Sequence, residues 1–333
     1  MKLALPPALA RFRSLQSVLG LGIIFLLAVC LSPRATDGSI IFLDPQNLTD
    51  ILRQQSEVGI IALAMTFVII SGGIDLSVGS VLAFCASLLA LLMVRWQPSG
   101  LPETLHMTAA IVATLAAATL LGVINGSLIA RLRIQPFVMT LAAMIGVRGL
   151  ARWSTENNNI DFGFGQDLSA HFAAAFSGKP LVIGLWIAAA ILFYVLLEYT
   201  IFGRYARAVG ENERAAAYTG LPIVRIKVAA YALCSLAAGA AGIIHAARSH
   251  QGNPNDGVAY ELDAIAAVVI GGTPLTGGSG SIGGTVIGTL IMGVLTNMLR
   301  LLLVDANSEL MIKAVIIVAA VWLQSARSSG TRA

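Results

Sequence analysis

Charge is scarce in this chain. Asp, Glu, Lys and Arg together make up 11% of its 333 residues, aromatic residues another 7%, and there are three cysteines. An ordinary soluble domain carries about 25% charged residues. Here 57% of residues are hydrophobic and the mean hydropathy is +0.83, more apolar surface than one aqueous core can hide. That excludes a soluble enzyme. Cys30, Cys85 and Cys234 lie inside apolar stretches without paired spacing, which argues against a disulfide framework or a metal cluster and leaves them as buried space-fillers. His106, His171, His245 and His250 are scattered, with no H-E-x-x-H or comparable ligand spacing. A phosphate loop of the G-x-x-x-x-G-K-[ST] type is missing: Gly178-Lys179 runs into Pro180. No catalysis, cofactor or metal is expected within the chain.

Long apolar runs take the place of these features. They fall at 15–31, 57–71, 77–94, 107–130, 135–152, 181–198, 227–247, 261–272, 282–304 and 310–325. A bilayer crossing needs about 20 apolar residues as a helix, whereas barrel strands would alternate over about 10. The expected fold is therefore all-α: a polytopic integral membrane protein with about ten transmembrane helices, some short or broken, in a single permeating domain over 1–333. Arg11 and Arg13 before the first run have the look of a signal peptide, and Leu27-Ala28-Val29-Cys30 that of a lipoprotein box. Val29 stands where a small residue is usual, and apolar segments continue for the rest of the chain, so the first run is read as a retained helix.

Ten crossings put both termini on one side. Twelve basic residues fall on that side and eight on the other, and five of the twelve (Arg204, Arg207, Arg214, Arg225 and Lys227) share one loop. The positive-inside rule then makes both termini cytoplasmic, and the net charge of +4 reports membrane topology rather than nucleic-acid binding. The outside loop 153–180, with Asn157-Asn158-Asn159 and several glycines, shows no periodic element. Segments 57–71 and 261–272 are too short to cross comfortably, and each ends in a glycine pair, Gly72-Gly73 and Gly271-Gly272. Two readings stay open: a duplicated architecture with broken helices lining a path, or glycines that merely permit close helix contact.

Ionisable residues within the spans are few: Asp75 at a segment break, Arg148, Glu198, and Lys313 four residues after Glu309, the spacing of a helical ion pair. The neutral polar residues Thr66, Asn125, Thr140 and Asn297, with Asp75, are the candidates for a translocation path. The neutral four suit hydrogen bonding either to a passing polar solute or to a neighbouring helix. In the loop 199–227, Asn212 is a suitable N-cap, Glu213 favours a helix start, alanines follow, and Gly220 with Pro222 stops the helix. A helix of about eight residues is marginal alone in water, so transmembrane helix ends or a cytosolic partner must hold it.

At this point the sequence resembles permease subunits of the ribose-type family of ABC sugar importers. The resemblance rests on Gly203…Ala208-x-Gly210-x-Asn212-x-x-Ala215-Ala216-x-x-x-Gly220, on Ser71-Gly72-Gly73-Ile74-Asp75-Leu76-Ser77-Val78-Gly79, on Gln135-Pro136-Phe137-Val138-Met139-Thr140-Leu141 with Arg148-Gly149, and on Glu261 through Thr273. It spans roughly 46–325 and departs from the family at Pro274 and Ser279. It implies that Gly203, Ala208, Gly210, Asn212, Ala215, Ala216 and Gly220 belong to a coupling segment docking on an ATP-hydrolysing subunit. It also implies a periplasmic sugar-binding protein, a second permease copy or paralogue, and residence among the lipids of a bacterial inner membrane. The expected function is the translocation pathway of an ATP-driven monosaccharide importer, ribose-like pentoses first. An ion-coupled secondary sugar carrier is the alternative.

Overall fold

The computed structural model describes residues 7–95, 102–165, 168–305, 307–316 and 318, with side chains from Ser17 onward. In chain order the helices are α1 (Pro7–Leu31), a 3-10 turn (Ile41–Leu43), α2 (Pro45–Ile70), α3 (Val78–Val94), α4 (Glu103–Leu132), α5 (Pro136–Ser154), α6 (Leu168–Ser177), α7 (Lys179–Tyr199), α8 (Ile201–Glu211), α9 (Glu213–Tyr218), α10 (Ile223–Ser249), α11 (Tyr260–Ile270) and α12 (Ile282–Leu301). Residues 307–316 are also helical. Every expected apolar segment coincides with one of these helices. The last, 310–325, does so only in part, because 317 and 319–325 lie outside the described residues. The chain is an all-α polytopic membrane protein. Among the described residues, five helices (α2, α4, α7, α10 and α12) are long and apolar enough to cross a bilayer, and Ser17–Leu31 and α3 are shorter apolar helices.

The segment expected at 57–71 proves much longer. Pro45 occupies the first turn, where no N–H partner is needed, and Asp44 Oδ1 accepts the Gln46 N–H at 2.7 Å, so α2 begins twelve residues earlier than its apolar run. Its 26 residues reach about 39 Å at 1.5 Å per residue. The first turns are polar on one side, which hid them from a search for apolar runs. Residues 56–70 are buried without interruption, as a helix apolar all round should be. Around this axis stand α7, α10, α11 and α12.

The second short segment, α11, keeps its 11 residues. Both α2 and α11 close in the same way. Gly72 (φ +82°) and Gly272 (φ +95°) sit in the left-handed region, Gly73 N–H donates to Val68 O, and Thr273 N–H donates to Val268 O. These are Schellman caps at positions 200 apart, with glycine where an L side chain would be strained.

The loop 153–180 is a correction to the sequence reading. It contains a strand, β1 (Ile160–Asp161), paired antiparallel with β2 (Gln251–Gly252), and the helix α6, whose Phe172 and Ala173 are buried. Both depend on partners distant in sequence: β1 needs the turn after α10, and α6 packs on α10 and α4. Neither carries a local pattern long enough to announce it.

Candidate functional site

One end of the bundle is built by the chain between α7 and α10. Thr200 Oγ1 accepts the Gly203 N–H at 3.4 Å and starts α8, a helix absent from the sequence reading. Gly203, Ala206 and Val209 are buried at a spacing of three, while Arg204, Ala208 and Glu211 are exposed. That amphipathic stripe was the signal available in the sequence. Phe202 stacks on Phe67 of α2, ring centroids 5.4 Å apart and 10° from parallel. Arg207 pairs with Glu198 at the end of α7.

The short rod that follows is shorter than expected, six residues rather than about eight, and each of its ends is secured. Asn212 Oδ1 accepts the Ala215 N–H at 3.0 Å. At the other end Leu221 N–H donates to Ala216 O at 3.1 Å and Gly220 (φ +79°) N–H to Ala217 O at 3.0 Å, a Schellman cap. An N-cap of this type contributes about 1 kcal/mol. Lys227 of α10 meets both Glu213 oxygens at 2.8 Å. With Glu213 more than half exposed, this pair adds at most about 1 kcal/mol. Ala216 is the one rod residue turned into the bundle; Arg214, Ala215, Ala217 and Tyr218 face outward, Tyr218 92% exposed. Of the seven residues singled out from sequence, Ala208, Asn212, Ala215 and Gly220 are exposed, Gly203 and Ala216 are buried, and Gly210 is intermediate.

The path candidates separate into three places. Asp75, Asn125 and Thr140 gather around 71–77, an extended stretch that folds back between α2 and α3. Ser77 donates its N–H (2.9 Å) and its hydroxyl (2.6 Å) to Asp75 Oδ1, setting the start of α3. Asn125 Nδ2 donates to Ser77 Oγ at 3.2 Å. The hydroxyls of Thr140 and Tyr231 both donate to Ile74 O at 3.3 Å. Asp75 is fully buried. Thr66 lies elsewhere, its hydroxyl 2.7 Å from that of Thr285 between α2 and α12. Asn297 exchanges amide bonds with Asn47 (2.8 and 3.2 Å) near the opposite end of the bundle.

A further polar centre escaped the sequence reading. Glu57, 0% exposed, faces His245 Nδ1 at 2.9 Å, the Tyr260 hydroxyl at 2.9 Å and Arg248 Nε at 3.2 Å. His245 Nε2 reaches Asp256 at 2.9 Å. Arg148 of α5 donates to Pro254 O at 2.9 Å and to Asp256 O, so the turn 253–259 is held from α5 and, through His245, from α10. The available signal was Glu57 opening an apolar run and a His245/Arg248 pair three apart on α10. Lys313 meets Glu309 at 3.0 Å, as its spacing suggests, and also Asp263 at 3.3 Å.

A family model described as branched-chain amino acid transport system / permease component matches residues 47–321. The chain is 41% identical over 318 residues to the ribose import permease protein RbsC of Bacillus subtilis (strain 168), covering 95% of this chain and 94% of that one. Against RbsC of Escherichia coli (strain K12) it is 38% identical over 316 residues, 93% of each chain. Against the L-arabinose ABC transporter permease protein AraH of Azospirillum brasilense it is 34% identical over 333 residues, covering 99% of this chain and 94% of that one. No solved structure matches.

Proposed function

This chain belongs to the family of branched-chain amino acid transport system permease components, and from that membership we propose that it is the membrane permease of an ATP-driven importer of a ribose-like monosaccharide. The similarity to ribose and arabinose permeases over nearly the whole chain supports the sugar class. The observation that carries the coupling half is α9, a capped rod projecting from one end of the bundle with Tyr218 almost fully exposed. A six-residue helix has no stability of its own, so an assembly that secures both ends of one in the open presents it to something.

In this reading α9, with the exposed Ala208, Asn212, Ala215 and Gly220, engages a cytosolic ATP-binding subunit while Ala216 seats the rod on the bundle, and both termini lie on that side. The opposite end, with β1, β2 and the turn 253–259, receives sugar from a periplasmic binding protein. Phe137, Ile145, Leu150 and Trp153 leave one side of α5 apolar and open, which supports a second permease copy lying alongside. Asp75, Asn125 and Thr140 belong to the polar lining that a sugar meets as the bundle alternates between two packings. The ATPase shifts that equilibrium only by its differential affinity for the two states, so the docking contact limits the coupling energy.

The test is reconstitution. Vesicles carrying the permease with its ATPase, supplied with binding protein outside and ATP inside, are expected to accumulate ribose. Vesicles with the permease alone are expected to carry none. Ribose uptake by the lone permease under a proton or sodium gradient would establish the ion-coupled carrier instead.

A further inference from the structure

Glycines from three separated motifs meet beside the rod. A Cβ added at Gly210, in the last turn of α8, would lie 1.7 Å from Ile70 O and 2.7 Å from Gly278 N. Gly278 N–H in turn donates to Ile70 O at 2.9 Å, joining the end of α2 to the turn between α11 and α12. A Cβ added at Gly72 would lie 4.0 Å from the Gly210 Cα, and one at Gly277 would be 3.0 Å from Gly72 N. On the other side of the same turn, a Cβ at Gly278 would be 3.1 Å from the Glu211 Cα. Gly72, Gly277 and Gly278 all have φ near +80°, so their backbone course is one that L side chains rarely adopt.

Three chain segments therefore touch backbone to backbone, with no side chain between them to change rotamer and absorb a displacement. One leads to α9 through Asn212. The second is the end of α2, from which 71–77 runs to Asp75 and the start of α3. The third precedes α12. Packed contacts of this kind transmit strain because they have no room to yield.

Resting on the coupling function proposed above, we propose that Gly210 is a positioning residue for transport. It seats α8 against Ile70 O and the 277–278 turn, so that a displacement of α9 moves the ends of α2 and α11 and the start of α12 together. Its task is transmission, distinct from the outward contacts of Tyr218 and Arg214 with the ATPase. The stack of Phe202 on Phe67 is the side-chain brace of the same junction.

The experiment uses the full complex of permease, ATPase and binding protein in vesicles, and reads three quantities. These are ATPase retained on the purified permease, the ratio of ATP hydrolysis with sugar-loaded binding protein to hydrolysis without it, and ribose uptake. Gly210→Ala is expected to keep the ATPase while the stimulation ratio and uptake each fall at least tenfold. Tyr218→Ala is expected to lose the ATPase itself. If folded Gly210→Ala sheds its ATPase, Gly210 is part of the docking face and the proposal is overturned; uptake within twofold of the unaltered complex also overturns it. Should Gly210→Ala yield no folded permease, Phe202→Ala decides. The ATPase retained with uptake down at least threefold upholds transmission, and uptake unchanged refutes it. An unaltered permease that binds no ATPase would instead sink the coupling function itself, and shows this before any variant is made.

Discussion

Replacing Glu57 by glutamine removes one negative charge from a place that water does not reach. The carboxylate is 0% exposed and faces Arg248 Nε at 3.2 Å, His245 Nδ1 at 2.9 Å and the Tyr260 hydroxyl at 2.9 Å. Glutamine keeps the shape and one acceptor oxygen but turns an NH2 group toward at least one of these donors. Hydrogen bonds to a charged group contribute about 1.5–3 kcal/mol each, and removing one member of a buried ion pair costs about 3–5 kcal/mol. The retained acceptor puts Glu57→Gln near the lower bound, about 3 kcal/mol, or roughly 150-fold in the unfolding constant. Asp50→Asn is the internal comparison: Asp50 meets Arg53 at 3.3 Å and Lys179 at 3.0 Å, but all three side chains are about a third exposed. Its loss should cost under about 1 kcal/mol. The assay is SDS-induced unfolding of detergent-purified permease followed by tryptophan fluorescence. Trp186 is a built-in reporter, since it is 4% exposed and its ring lies where a Cβ on Gly59 would fall, two residues from Glu57. Equal losses for Glu57→Gln and Asp50→Asn would mean that the Glu57 centre is solvated, and the argument from burial would fail.

Three further outcomes follow from the same contacts. Asn212→Ala removes the α9 N-cap and should cost about 1 kcal/mol locally, seen as faster amide exchange over 213–218, while Asn212→Ser retains the cap and restores protection. Tyr218→Ala touches nothing inside the chain and should leave the unfolding midpoint within about 0.5 kcal/mol of the original; a larger loss would place the ring in a packing contact. The double variant Thr66→Val with Thr285→Val removes both partners of one buried bond at constant shape, which is close to neutral for stability, so any large loss of ribose uptake would report a direct role of those hydroxyls in the path.

Much of this was legible because it is local. The run 227–247 is predominantly apolar and lies within α10; Asn212, Gly220 and Pro222 delimit α9 because caps act within four residues. The beginning of α2 was lost because Gln46 to Gln55 is polar on one side and forms no continuous apolar run, although Asp44-Pro45 is a helix start in its own right. Asp75 looked like an isolated intramembrane charge, and only the adjacent Ser77 donors explain why it sits at the head of α3. Glu57 was passed over because its partners lie about 190 residues away in α10 and just over 200 away in α11.

From composition and the spacing of its apolar runs alone, the chain had to be a bundle of membrane helices, because lipid leaves the backbone only helices or closed barrels, and continuous runs of this length exclude the alternating strands of a barrel. Caps and stops, equally local, determined where most of those helices end. Which glycine would meet which carbonyl, and which acid would find a base, waited on the folded bundle. Gly210 against Ile70 O and Glu57 against His245 are contacts between residues far apart in sequence, and hydrophobic periodicity carries no information about partners at that range.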